Sequence, residues 1–368
     1  MTQKLRSMVV GATGVAGQQF VAALVGHSQF ALSKLCASER SAGRKYGEAL
    51  KDERGSLRWY AGEAPPQDVL DMPVFGAEEA GTDEIDVVFS ALESDAAKRL
   101  EPRWAADVPV FSTASAFRYE PDVPILLPGV NPKHAELLFT QQKRRGFRGF
   151  LAPGPNCTTV GLAMTLAPLA LEFGLRRVVM TSLQAVSGAG RSPGVAALDV
   201  LDNVIPFIPG EEEKVEKETR KILGQLVGKA GSHQIVPLPT PVSCTCTRVA
   251  VLDGHTVAVF CETEREAPIN EVKNAWRSFG QDPRGGWLPS WPKHLIEVTD
   301  DPFRPQPRLD REAGGGMTTV VGRVRAERAL GPHGVKYVLL SHNTKLGAAL
   351  GALVTAEQLL SEGYFARR

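Results

Sequence analysis

The sequence predicts an α/β protein of two domains, a doubly wound parallel sheet followed by an α+β unit whose sheet is mostly antiparallel. Three observations carry this. A glycine-spaced turn, Gly11-Ala-Thr-Gly14-Val-Ala-Gly17, lies between an apolar strand and a helix. Short apolar runs then alternate with helical stretches, the pattern of a parallel sheet. Beyond residue 240, apolar runs flank an Asp-Gly turn and more strand-like runs follow. At 368 residues the chain is long enough for two domains of about 150 residues each.

Composition narrows the function classes. Formal net charge is +1, which gives no electrostatic footprint for nucleic acid or an anionic membrane. Cys36, Cys157, Cys244, Cys246 and Cys261 are scattered and odd in number, which argues against a disulfide framework and suits a reducing, cytoplasmic setting. Cys244 and Cys246 form a C-x-C with no second Cys or His pair at zinc spacing. No metal site is expected, and the two cysteines fit alternation along a strand. The N-terminal residues run straight into a strand and do not read as a signal peptide. No apolar stretch is long enough to span a bilayer.

In order along the chain, Leu5 to Val10 reads as the first strand and Gln18 to Val25 as the first helix. The turn between them has the G-x-x-G-x-x-G spacing of a Rossmann-type dinucleotide site. Its glycines allow a tight turn and a close backbone approach, and the helix N-terminus binds a pyrophosphate. Gly11, Thr13, Gly14, Val15 and Gly17 are therefore candidate cofactor contacts. The second strand, Ala31 to Cys36, ends near Ser38, Glu39, Arg40, Ser41, Arg44 and Lys45. Hydroxyls and guanidinium groups suit a 2′-phosphate, so Ser38, Arg40 and Ser41 favour NADP(H), while Glu39 keeps NAD or a plain solvated loop open. Strands are expected at Asp86 to Leu92, Val108 to Phe111 and Val123 to Leu127, with a helix from Asp95 to Trp104. Arg118, just after a strand end, is a candidate for an anion site or an ordinary surface arginine.

The run Gly154-Pro155-Asn156-Cys157-Thr158-Thr159 precedes a buried apolar helix reaching about Leu171. Cys157 then sits at a helix N-terminus, where free N–H groups and the dipole favour thiolate. Thr158 and Thr159 are candidate caps. The alternative is a small buried hydrophobe in a turn. Arg177 to Gly190 reads as a strand that carries Gln184 and ends in a glycine loop with Ser187 and Gly188. Glu211 and Lys214 open a further helix, reaching about Gly228, and share a face. Arg248 to Phe260 reads as a hairpin around Asp253-Gly254. Arg248 and His255 then share a sheet face about 13 Å apart along an ideal strand, so their convergence on one site needs the reach of the arginine, a bend or a longer turn. Leu295 to Val298, Thr318 to Val324 and Val335 to Leu340 complete the sheet. Gly314-Gly315-Gly316 predicts a flexible loop, and Leu346 to Leu360 a terminal helix packed back on the first domain.

These motifs, with Asp202-Asn-Val-Ile-Pro206 and Asn343-Thr344, resemble over nearly the whole chain those of aspartate-semialdehyde dehydrogenase in its archaeal and fungal-like branch. The resemblance implies a Rossmann-type NADP-binding domain, 1–155 plus 341–368, and an α+β catalytic and dimerisation domain, 156–340. It implies Cys157 as nucleophile with Asn156 beside it, Gln184 orienting the acyl intermediate and His255 as general acid/base. It further implies Arg248 on the substrate α-carboxylate, Glu211 on its amino group, Lys214 and Arg118 at the phosphate, and Asn343 positioning the nicotinamide. Arg44 stands where the family's cofactor loop carries lysine. The implied reaction takes L-aspartyl-4-phosphate to aspartate-4-semialdehyde and inorganic phosphate through a cysteine thioester, in a homodimer or homotetramer. Malonyl-CoA reductase resembles this branch too. N-acetyl-glutamyl-phosphate reductase fits the Asn156-to-Thr159 run less well, and a non-catalytic cofactor-binding paralogue is the alternative from another class.

Overall fold

The computed structural model describes residues 3–190, 195–280 and 288–366. The expected domains run to residues outside these bounds at both chain ends and at 191–194 and 281–287. Apolar runs bounded by glycine and proline give β1 (Leu5–Val10), β2 (Phe30–Ala37), β3 (Val74–Gly76), β4 (Val87–Ser90), β5 (Val110–Ser112) and β6 (Leu151–Pro153). They form one sheet in the order β3-β2-β1-β4-β5-β6, every pair parallel. The helices over it include α1 (Val15–Leu24), α2 (Ser94–Ala105) and α3 (Leu137–Arg145). Val123 to Leu127 is buried but forms no strand. Pro124 removes one ladder donor, and Leu151–Pro153 takes the edge place beside β5 instead.

Helix α4 (Cys157–Phe173) links the two sheets. It is apolar nearly all round, and a helix of that kind must be buried. Val160, Leu162, Met164 and Leu166 pack with Val178, Met180, Val257, Val259 and Tyr337 in the core of the second sheet. At Gly161 an added Cβ would lie 2.8 Å from Leu339 and Ser341, so only glycine lets the helix approach the sheet this closely.

The second sheet holds β7 (Leu175–Gln184), β10 (Val242–Arg248), β11 (His255–Thr263), β12 (Ile296–Val298), β13 (Thr319–Ala326) and β14 (Gly334–Ser341), in the order β10-β7-β11-β14-β13-β12. A separate two-stranded piece, β8 (Gln225–Val227) with β9 (Gln234–Val236), follows α5 (Glu211–Ile222). Helix α6 (Ile269–Ser278) lies against the same core. Three pairings in the large sheet are antiparallel and the two outer ones parallel.

The expected hairpin does not form. Strand β7 lies between β10 and β11, parallel to one and antiparallel to the other. Residues 249–254 cross over its end, so Asp253-Gly254 is part of a crossover and not a two-residue turn. The expected separation of Arg248 and His255 disappears with the hairpin. Arg248 pairs in register with Gln184, and His255 with Ser341, so all four stand along one edge of the sheet.

The C-terminal stretch behaves as expected. Lys345–Ala349 forms one π-helical turn that continues as α7 (Leu350–Ser361). Leu353, Ala356 and Leu359 enter the first domain's core beside Phe20 and Phe89. Gly314, Gly315 and Gly316 all have positive φ, so this run is a left-handed turn and not a helix. Cys244 and Cys246 both point inward from β10. Among the described residues no helix is long and apolar enough to cross a membrane.

Candidate active site

The site begins with the caps of two helices. Asn156 is the N-cap of α4: its Oδ1 accepts from the backbone N–H groups of Thr158 and Thr159 at 2.9 and 3.2 Å. The expected threonine caps are therefore the donors, and asparagine is the cap. The Nδ2 of Asn156 donates to Glu211 Oε1 at 2.8 Å, and its backbone N–H to Glu218 Oε2 at 2.6 Å. Asn156 is thus held through its Oδ1, its backbone N–H and one of its two amide hydrogens, which leaves the second Nδ2 hydrogen for the cleft that it lines. Glu211 opens α5, where the helix dipole favours an anion, and is buried.

Cys157 Sγ lies 3.2 Å from His255 Nε2. The other ring nitrogen, Nδ1, accepts from the backbone N–H of Ala185 at 3.0 Å. That bond assigns the ring hydrogen to Nε2, so the imidazole presents a donor to the sulfur. The carbonyl of the same Ala185 accepts from Arg248 Nη1 at 2.7 Å. One residue at the end of β7 therefore orients both the histidine and the arginine. Gln184 is fully buried with its side-chain amide on Ser182 Oγ at 3.2 Å, and it is not among the residues lining the cleft.

The electrostatics oppose a simple helix-end argument. Enclosure by protein pushes the Cys157 thiol up to about 12, and the Glu211 carboxylate pushes the same way. Arg118, Arg248 and the Thr158 N–H pull it down. Burial lowers His255 to about 3, with Arg248 and His342 adding to the effect, so the imidazole is neutral at physiological pH. Removing the Glu211 charge is expected to make the thiol more acidic. In Glu211→Gln, iodoacetamide should alkylate Cys157 severalfold faster near pH 7, because a pKa one unit lower gives about tenfold more thiolate. The other four cysteines are buried, and Cys157→Ser supplies the blank. An unchanged or slower rate would contradict the assignment of that charge.

Cys157 opens onto a cleft of about 1600 Å³ between the carboxyl ends of the first sheet and the edge of the second, with His255 buried behind it and not among the lining residues. Cys157, Asn156, Glu211, Lys214, Arg118 and Arg248 line it at one end. Lys214 Nζ stands 3.9 Å from Glu211 Oε2. Arg118 is buried, with Nη1 on Glu218 Oε1 at 3.1 Å and Nη2 on the carbonyl of Thr113 at 2.8 Å. At the middle stand Ser187, Gly188 and Asn343. Asn343 accepts from Gly254 N–H at 2.9 Å and donates to Ser187 Oγ at 2.8 Å, which ties the glycine loop to the chain after β14.

The far end fits a dinucleotide. Thr13, Gly14 and Val15 line the cleft at the first turn of α1. Gly11 and Gly17 shape the turn from behind: an added Cβ would lie 2.5 Å from Ala91 O at Gly11 and 2.0 Å from Gly11 O at Gly17. Gln18 locks the turn, with its amide on Thr13 O at 3.1 Å and Arg58 O at 2.9 Å. Arg40, Ser41, Arg44, Arg54 and Arg58 line this end, and Ser38 and Glu39 do not. The acidic residue that favoured NAD is outside the cleft, and so is Ser38, which stands at the N-cap position of the neighbouring 3-10 turn without a side-chain capping bond. Sequence reasoning missed Gln18, Arg54, Arg58 and Glu218. Glu218 carried a signal, since it stands two helical turns after Glu211 on one face. Among the described residues no group of three or more His, Cys, Asp or Glu is placed to hold a metal ion.

Comparison with known proteins agrees with this fold. Residues 6–138 match the semialdehyde dehydrogenase NAD binding domain, and residues 166–346 the semialdehyde dehydrogenase dimerisation domain. The chain is 43% identical over 349 residues to the aspartate-semialdehyde dehydrogenase of Methanothermobacter thermautotrophicus, covering 95% of this chain and 97% of that one. Identity to the Archaeoglobus fulgidus enzyme is 45% over 355 residues, covering 96% and 97%. The crystal structure of the Candida albicans enzyme with NADP superposes with a TM-score of 0.86 at 38% identity, covering 98% of this chain and all of that one. With both domains matched and identity above 40% over nearly the full length, this chain belongs to the aspartate-semialdehyde dehydrogenase family.

Proposed function

We propose that this chain converts L-aspartyl-4-phosphate to L-aspartate-4-semialdehyde and phosphate, reversibly and with NADPH, through a thioester on Cys157. The observation that carries the proposal is the Cys157–His255 pair at 3.2 Å, with Cys157 lining a cleft that also presents Arg248, Glu211, Lys214 and Arg118. The Cys157 thiol gives its proton to solvent, the thiolate attacks the acyl carbon, and the bond from that carbon to the phosphate oxygen breaks, with phosphate leaving towards Arg118 and Lys214. Arg248 takes the α-carboxylate and Glu211 the α-ammonium. An ammonium on Glu211 offsets the charge that holds the thiol up, so substrate binding itself favours thiolate. The neutral Nε2–H of His255 hydrogen-bonds the thiolate and then the developing oxyanion, keeping its proton throughout. The N–H groups of Thr158 and Thr159 are taken by the Asn156 cap, so the second Nδ2 hydrogen of Asn156 and the backbone N–H of Cys157 bind that oxygen. Gln184 acts by holding the end of β7 that orients His255 and Arg248.

The glycine cradle, the first turn of α1 and the cluster Arg40, Ser41, Arg44, Arg54 and Arg58 would hold NADP(H), with Asn343, Ser187 and Gly188 near the nicotinamide. That cofactor supplies the hydride that reduces the thioester. The match to a dimerisation domain supports a homo-oligomer, a dimer or tetramer, formed through residues 156–340, with 1–155 plus 341–368 as the cofactor domain. The reducing cytoplasm is the setting for five free cysteines.

A paired assay tests the substrate class. Aspartate-4-semialdehyde with phosphate and NADP should be oxidised with kcat/KM at least about 100-fold above that for malonyl-CoA reduction with NADPH, the discrimination expected when a buried carboxylate lacks its ammonium partner. Efficient malonyl-CoA reduction without semialdehyde oxidation would replace this reading with the CoA reductase.

A further inference from the structure

We propose that Glu218 is a positioning residue that couples the Arg118 anion site to the turn carrying Cys157. The proposal rests on Arg118 as a phosphate contact. Glu218 is completely buried on α5 and is not among the residues lining the cleft. Its Oε1 accepts from Arg118 Nη1 at 3.1 Å and from the Tyr119 hydroxyl at 3.2 Å. Its Oε2 accepts from the backbone N–H of Asn156 at 2.6 Å. A buried carboxylate is tolerated only when both oxygens are satisfied, and here the two oxygens serve two different parts of the site.

Arg118 comes from the first domain, with its Nη2 on the carbonyl of Thr113 and its buried Nε without a partner. Three residues beyond Glu218, Lys221 Nζ donates to the carbonyls of Arg118, Glu120 and Val123 at 2.7, 2.9 and 2.7 Å. One stripe of α5 therefore places Glu211 against the Asn156 side chain, Glu218 against the Asn156 backbone and Arg118, and Lys221 against the Arg118 loop. Helix α5 sets the distance between the group that receives the leaving phosphate and the turn that carries the nucleophile.

Glu218→Gln keeps the volume but replaces one acceptor by a donor, so either Asn156 N–H or Arg118 with Tyr119 then faces an NH₂ group. Lys221→Gln loosens only the Arg118 loop. The readouts are KM for phosphate and for NADP in semialdehyde oxidation, and the rate of Cys157 alkylation. Glu218→Gln is expected to raise the phosphate KM at least about tenfold, the loss of one charge-assisted bond. It should also change the alkylation rate and leave the NADP KM within about twofold. Lys221→Gln should raise the phosphate KM alone, and it keeps the proposal testable if Glu218→Gln does not fold. Arg118→Ala separates the two levels. If it leaves the phosphate KM unchanged, the phosphate reading fails and the proposal with it. If it raises that KM while neither Glu218→Gln nor Lys221→Gln does, the coupling alone is overturned.

Discussion

Cys157→Ser is expected to lower phosphate-dependent oxidation of aspartate semialdehyde by about 10⁴-fold or more, the scale seen when a covalent nucleophile is removed. A serine hydroxyl at the same point has no thiolate form to offer, and among the described residues the one side chain hydrogen-bonded to this position is His255. His255 donates to this position, because Ala185 N–H occupies its other nitrogen. Cofactor binding should survive, since the glycine turn that cradles it is built by Gly11, Gly17 and Gln18 at the other end of the cleft. Fluorescence titration with NADPH checks that half, and residual turnover near the wild-type level would contradict the whole mechanism.

His255→Ala is expected to cost about 10²–10⁴ in kcat, the usual worth of a positioned donor. The pH profile is the sharper readout. Burial holds His255 at about 3, below its ordinary value of 6.5, so wild-type kcat/KM should show no inflection from this group between about pH 5 and 8. The same shift has a stability consequence with a fixed sign. The unfolded chain takes up the proton first, so the stabilising effect of the neutral ring is full above about 6.5 and is lost as pH falls towards 3. An inflection near 6.5 that disappears in His255→Ala would show instead that the imidazole titrates freely in the folded enzyme.

Much of this was legible because the signals are local. The glycine turn, the helix starting at Cys157, the inward C-x-C and the terminal helix each follow from spacing and caps within a dozen residues. What was hidden depends on partners far along the chain. Asp253-Gly254 carries a strong hairpin signal, yet β7, some 70 residues earlier, inserts between the two runs and turns the signal into a crossover. The thiol followed the same pattern. The helix end pulls its pKa down locally, while enclosure and Glu211, 54 residues on in sequence, push it up. Glu218 shares a face with Glu211 by simple periodicity, but its partners are 62 and 100 residues away. A single sequence shows the face and not what meets it.

Incubation of the enzyme with L-aspartyl-4-phosphate without NADPH, followed by acid quench and peptide mass spectrometry, reports on the covalent step directly. The expected result is an aspartyl thioester on the peptide that carries Cys157, with phosphate released in equal amount and neither product formed by Cys157→Ser. An unmodified Cys157 in enzyme that still turns over when NADPH is added, or an acyl group found on another residue, would contradict covalent catalysis at this cysteine.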